Sequence, residues 1–146
     1  MLDREIRSLI ENQKLLHMAA GATVSDAAAR MADAHVGAML VCDGADTVCG
    51  VFTERDALVR VVAAGLDPRT TSLGEVMTPD PAAVKPDDTV LSVIFAMKQH
   101  RSRHLLVKSG ETVMGVVSVR DLLRSLVDDT LEERQILDDL WYGSPV

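Results

Sequence analysis

Gly50-Val51-Phe52-Thr53-Glu54-Arg55-Asp56 returns further along the chain as Gly115-Val116-Val117-Ser118-Val119-Arg120-Asp121. Each copy closes an apolar run that reads as a β-strand and opens a run that reads as a helix. Each sets a hydroxyl three residues before a carboxylate at that junction. Thr53-x-x-Asp56 and Ser118-x-x-Asp121 fit the capping pattern, in which an N-cap hydroxyl and an N3 acid satisfy orphan backbone donors. Such a cap contributes about 0.5–2 kcal/mol and needs no ligand. The same groups also suit a sugar phosphate. A carboxylate accepts the two hydroxyl protons of a ribose diol, and the hydroxyl with the free N–H groups of a first helical turn holds a phosphate.

The phrase belongs to a longer internal repeat, a feature that decides the fold where it occurs. Residues 22–46 align with 88–112 without a gap, and 50–60 with 115–125 after a one-residue slip. Eleven of these 36 pairs are identical, among them Thr23/Thr89, Met31/Met97, Gly44/Gly110 and Asp56/Asp121. The segment types match as well. Val24, Ala27, Ala28 and Met31 fall at helical spacing and predict a helix over 24–34. Strands are expected at 38–42 and 48–52 around the Asp43-Gly44 turn, then a helix from Glu54 to Ala64 closed by Gly65. The second copy predicts a helix carrying Val90, Val93, Ile94 and Met97, capped by Asp87 or Asp88. Strands at 105–107 and 113–117 and a helix over 119–127 follow. A leading strand is expected at 82–84, with a less defined counterpart within 18–22. Residues 1–16 read as a flanking helix, 17–66 as the first repeat and 67–81 as a linker. Residues 82–127 then form the second repeat, and 128–146 a C-terminal helix and tail.

The recurrence of Gly at the strand start marks a place where another backbone or a ligand approaches closely. Two repeats facing each other across a pseudo-twofold axis would have clefts between them.

Composition narrows the partners. A net charge of −7 with no Lys/Arg block excludes the positive footprint that nucleic-acid polymers need. A mononucleotide needs only a local positive pocket. No apolar run approaches the length of a membrane span, and Met1-Leu2-Asp3-Arg4-Glu5 lacks the order of a signal peptide. A cytoplasmic, stand-alone protein is the expectation. Cys42 and Cys49 flank the Asp43-Gly44 turn and could face each other across a hairpin. They read as two small apolar residues, with a disulfide as the alternative. His17, His35, His100 and His104 are not spaced as a metal cluster, so no metal is expected. No nucleophile-elbow or P-loop pattern occurs, so no catalytic residue is assigned and the protein is not expected to be an enzyme.

The repeat resembles a tandem pair of cystathionine-β-synthase (CBS) domains, whose phrase is Gly-apolar-apolar-Thr/Ser-x-x-Asp. Val76-Met77-Thr78-Pro79, Pro86-Asp87-Asp88-Thr89-Val90 and Arg103-His104-Leu105-Leu106-Val107 are similar to further family motifs. The resemblance covers about residues 17–127. It implies an α/β (α+β) fold of two β-α-β-β-α repeats packed sheet to sheet, and a homodimer of the pair. It also implies AMP, ADP or ATP in the clefts, with S-adenosylmethionine or NAD as other adenosyl ligands. Carried over, Thr53 and Asp56 would work with Ala83, Val84, Arg103 and His104, with Lys85 nearby. Ser118 and Asp121 would work with Ala20, Ala22, Val36 and Gly37. The first set has the cations a polyphosphate needs, and the second has small neutral neighbours suited to adenosine or AMP. The family's Pro is Leu106 here and Leu40 in the first copy. The expected function is a nucleotide sensor that signals through conformation or assembly, with an unidentified protein as a candidate target. The alternative is a dimerisation scaffold with degenerate clefts.

Overall fold

The computed structural model describes residues 2–127, so the expected C-terminal helix lies outside the described residues. The described chain divides into two compact units. One is 14–81, and the other joins 2–13 to 82–127.

Unit 14–81 starts with strand β1 (His17–Ala19), helix α2 (Val24–Ala34), and strands β2 (Ala38–Cys42) and β3 (Val48–Thr53). A helix α1 precedes these in the chain at Arg7–Ile10. β1 pairs parallel with β2, an arrangement that requires the crossover α2 supplies. β2 and β3 form an antiparallel hairpin. Thr23 caps α2 by accepting the Asp26 N–H at 3.2 Å. α2 ends in a left-handed residue, His35 (φ 55°), with the Val36 N–H returning to the Met31 carbonyl at 3.1 Å. After β3, α3 (Glu54–Asp56) runs on as π-helical turns over Ala57–Val62. Their wider spacing shows in the Ala63 N–H bonding the Leu58 carbonyl at 2.8 Å. Gly65 closes the run at φ 73° as expected, and the Leu66 N–H reaches the Val61 carbonyl at 2.9 Å.

Val24, Ala27 and Met31 from α2, Met39 and Val41 from β2, Phe52 from β3, and Val61 form the core of this unit. Leu40 and Val51 project to the other face of the hairpin and are buried too.

The second unit repeats the plan. β5 (Ala83–Val84) pairs parallel with β6 (His104–Ser109), and β6 pairs antiparallel with β7 (Thr112–Ser118). Helix α5 (Val90–His100) crosses between β5 and β6, and α6 (Val119–Val127) follows β7. Thr89 caps α5, accepting the Ser92 N–H at 3.1 Å. The expected cap Asp88 instead accepts the Lys85 N–H at 2.8 Å. Thr89 prevails because it directly precedes the first helical residue, where its hydroxyl reaches the donor three residues on. α5 also ends in a left-handed residue, Arg101 (φ 50°).

Two segments depart from expectation. Residues 1–16 do not form one helix, since only Arg7–Ile10 is helical. Residues 67–81 are more than a linker. They carry α4 (Leu73–Val76) and strand β4 (Thr78–Pro79), which pairs with β3 at Gly50 and Val51. The two segments are structural counterparts. In one unit Leu73 N–H donates to the Ala22 carbonyl (2.9 Å), Gly74 to Ala20 (2.9 Å), and Val24 to Thr71 (3.0 Å). In the other, Ile6 N–H donates to Asp88 (2.8 Å), Arg7 to Pro86 (3.0 Å), and Val90 to Arg4 (2.9 Å). Leu73 and Val76 enter the first core as Ile6 and Ile10 enter the second. Where Thr78 pairs with Val51, the Gln13 side-chain amide takes the place of a strand residue. Its Nε2 donates to the Val116 carbonyl at 2.6 Å, and its Oε1 accepts the Val116 N–H at 2.9 Å.

The repeated glycines follow from this cover. A Cβ on Gly50 would meet the Met77 sulfur and, at 2.9 Å, the Thr78 carbonyl oxygen. On Gly115 it would meet Gln13 Oε1 at 2.7 Å and Ile10 Cβ at 3.1 Å. The close approach inferred from the sequence is therefore made by the chain itself.

The cysteines do not face each other. Cys42 stands opposite Val48, and a bulge follows in which Cys49 turns its thiol to the Val41 carbonyl at 3.5 Å. Both are free. Burial pushes the Cys42 thiol pKa up, and the negative charge of Asp46, Cys49 and Asp43 adds to the rise.

Gly50→Ala and Gly115→Ala are each expected to lower the unfolding free energy by about 1–3 kcal/mol in urea titrations. Gly44→Ala, whose Cβ meets nothing within 4 Å, should change it by less than about 0.5 kcal/mol. With Cys49 replaced by Ser, a raised Cys42 pKa means less thiolate. Cys42 should then react with a disulfide reagent at pH 8 more slowly than free cysteine.

Candidate functional site

Both copies of the phrase fold as capping boxes. Thr53 Oγ1 accepts the Asp56 N–H at 3.1 Å, and Asp56 Oδ2 accepts the Thr53 N–H at 3.0 Å. Ser118 Oγ accepts the Asp121 N–H at 3.1 Å, and Asp121 Oδ2 accepts the Ser118 N–H at 2.9 Å. The box forms because the strand leaves its last residue extended (φ −118°, ψ 164° at Thr53) just as the helix begins.

Each box is held against the start of its hairpin's other strand. The Glu54 N–H donates to the Gly37 carbonyl, and the Val119 N–H to the Arg103 carbonyl, both at 3.0 Å. Ala38 stands opposite Thr53 and His104 opposite Ser118. The structure thus brings Val36 and Gly37 beside Thr53 and Asp56, and Arg103 and His104 beside Ser118 and Asp121. These are groupings within a unit, whereas the sequence sets were drawn across the two repeats. Ala83 and Val84 form β5 one strand away from the Arg103–His104 corner, and Lys85 follows, exposed. Ala20 and Ala22 offer their carbonyls to Gly74 and Leu73. Their backbone acceptors are therefore engaged by the covering segment.

Charge separates the two corners. Arg103 and His104 stand where the first unit has Gly37 and Ala38, and exposed Lys98, His100 and Arg101 end the preceding helix. In the first unit a cavity of about 370 Å³ opens between α2 and the π-helical turns. Its lining includes Ala28, Met31, Val36, Phe52 and Ala57, with His35 and Glu54 as its ionisable groups. That size falls within the range of small-molecule pockets. An apolar lining with a carboxylate suits a ring better than a phosphate.

The carboxylates also differ in surroundings. Asp56 is 7% exposed. The Thr78 hydroxyl lies 3.3 and 3.4 Å from its two oxygens, and Arg60 Nε lies 3.7 Å from Oδ1. Asp121 is only partly buried. Neither Arg60 nor Thr78 was assigned to a site from the sequence, although Thr78 lies in the Val76–Pro79 motif.

Two stretches of the chain, 6–63 and 73–128, match the family model of the CBS domain. The chain belongs to the CBS-domain family. Each match begins at a covering segment, at Ile6 and next to Ser72, so a CBS repeat in sequence is not one compact unit. Its first residues cover the body of the other repeat. The Arabidopsis thaliana CBS domain-containing protein CBSCBSPB3 is 37% identical over 79% of this chain, which spans 20% of that protein. The mitochondrial CBSX3 of the same plant is 32% identical over 80% of the chain, which spans 58% of that protein. The chain is thus shorter than these relatives. Among solved structures, a CBS-domain protein of Burkholderia ambifaria MC40-6, put forward as a signal-transduction protein, superimposes with TM-score 0.81 at 30% identity. The alignment covers 87% of this chain and 96% of that one. Among the described residues no helix is long and apolar enough to cross a membrane, and no three His, Cys, Asp or Glu side chains cluster as metal ligands.

Thr53→Ala and Ser118→Ala should each reduce the unfolding free energy by about 0.5–2 kcal/mol in urea. A change near zero in either would show that its box does not support the fold.

Proposed function

We propose that this CBS pair is a regulatory module that binds an adenine nucleotide, AMP, ADP or ATP, and reports occupancy through conformation or assembly. The observation that carries the reading is the duplicated hydroxyl–carboxylate box at a strand-to-helix junction, fixed in both units by the same hydrogen bond to the neighbouring strand. A box of this kind presents a carboxylate for a ribose diol and a hydroxyl beside the first helical turn for a phosphate. The cations at the Arg103–His104 corner supply the charge that a phosphate requires. S-adenosylmethionine and NAD carry the same adenosyl group and belong in any test. A homodimer is the assembly we expect to respond, and the signal-transduction role put forward for the Burkholderia protein is consistent with a protein target. No catalytic step is proposed.

Ligand can shift the module only by its differential affinity for two states. A second reading, a scaffold without ligand, draws on the fact that both boxes already close on themselves. A thermal-shift series with AMP, ADP, ATP, S-adenosylmethionine and NAD separates the two. A ligand at one hundred times its Kd stabilises the folded state by about 2.7 kcal/mol, which raises the melting temperature by several degrees. No shift with any of the five at millimolar concentration overturns the nucleotide reading in favour of the scaffold.

A further inference from the structure

We infer that the cavity of the first unit is completed by a second copy of this chain, whose helix α5 seats Phe95 in it and sets Lys98 against Glu54. The inference rests on the homodimer named in the reading above and gives it an interface, in which the first unit of one copy meets the second unit of the other.

The cavity is written into the repeat. Ala28 on α2 and Ala57 at the start of the π-helical turns stand in its wall. In the second copy of the repeat these places hold Ile94 and Leu122, which pack in the core of that unit. The first unit therefore lacks two large side chains with which its counterpart fills the corresponding space. A volume of about 370 Å³ is ample for a phenyl ring. Met31 and Phe52 add apolar lining, and exposed Glu54 brings a carboxylate where the second unit has Val119. The π-helical turns that wall the cavity also expose Leu58, Val59 and Val62, apolar surface of the kind that marks a protein contact.

The second unit carries what the cavity lacks. Leu91, Phe95 and Lys98 lie four and three residues apart on α5 and so share one face. Leu91 and Phe95 are exposed, Phe95 at 61%. A phenyl ring is among the side chains that gain most from a pocket at an interface. The corresponding face of α2 is small, with Ala29 at the place of Phe95. Setting α2 against α2 would leave the cavity empty. Setting α5 against α5 would oppose two rings and two lysines. Only α5 against α2 joins large to small. Charge selects the same pairing. Residues 14–81 carry nine Asp or Glu against five Lys or Arg, whereas 2–13 with 82–127 carry seven against nine. On the helices, α2 has Asp26 and Asp33 with a single Arg30, and α5 has Lys98 and no acid. Like units repel and unlike units attract. Since one chain holds both halves of the contact, two copies about a twofold axis make it twice.

The test is sedimentation of the full chain without nucleotide, over a dilution series, with circular dichroism to confirm folding. The wild type should sediment as a dimer. Phe95→Ala removes the ring and should weaken dimerisation at least about tenfold, as for a buried aromatic anchor. Ala57→Leu fills the cavity with the residue of the other unit and should weaken dimerisation too. Glu54→Lys and Lys98→Glu should each weaken it about threefold, and the two together in one chain should return it toward the wild-type value. Phe95 is exposed in the single chain, so Phe95→Ala decides the matter even if Ala57→Leu fails to fold. Undiminished dimerisation of Phe95→Ala, or of a folded Ala57→Leu, overturns the seating of the ring. A doubly reversed chain no better than the single variants overturns the pairing of unlike units. A wild type that grows beyond a dimer overturns the twofold contact, and one that stays monomeric overturns the inference and leaves the cavity to a small molecule or another protein. A nucleotide thermal shift in such a monomer leaves nucleotide binding standing, so the two failures are told apart.

Discussion

The outer edge of each hairpin presents the N–H and C=O of a central residue, Val51 or Val116, and these groups must find partners. An unpaired backbone group taken out of water costs about as much as a lost hydrogen bond. The chain meets the demand twice with corresponding segments. At Val51 the partner is the backbone of Thr78, and at Val116 it is the primary amide of Gln13, which carries the same donor and acceptor. The rest follows from this contact. Gly50 and Gly115 leave room for the segment, Leu73 and Ile6 anchor it in the cores, and its backbone bonds hold the turn before each crossover helix.

The same contact makes the two copies of the phrase unequal. Since β4 arrives as backbone, its side chains are available, and Thr78 joins Asp56 within reach of Arg60. Gln13 uses its side chain to replace a strand and has nothing left for Asp121. Burial at one copy and openness at the other therefore arise from how a strand edge is closed, at some distance from the box itself.

Much of the hairpin-and-helix plan was legible. Residues 24–34 and 38–42 begin and end as elements where the sequence pattern places them, and the helix expected from residue 119 begins at Val119. The covering segments were not legible, because their correspondence is kept in backbone bonds and three apolar positions: Ile6 with Leu73, Leu9 with Val76, Ile10 with Met77. Segment 4–13 therefore read as an outlying helix and 71–80 as part of a linker. The repeated Gly was legible as a close approach, but not as one made by the chain itself. At the boxes, the hydroxyl and carboxylate could be read from spacing alone. The partners of Asp56 could not, since Thr78 lies 22 residues away and meets it only after β4 has paired. The π-helical turns also left no mark, because an i+5 bond at Leu58 needs no special residue.

Reciprocal lending of the leading segment bears on how such a chain can arise and be divided. A single repeat, starting at Ile6 and ending near residue 63, keeps its hairpin but sends its cover elsewhere. Its β3 edge would be an open template for any other strand, the condition that drives edge-to-edge aggregation. It could close that edge only by borrowing the leading segment of a second copy, which makes a pair of repeats the smallest self-sufficient unit. Duplication within one chain turns that loan into an intramolecular one, at an effective concentration no dilution can lower.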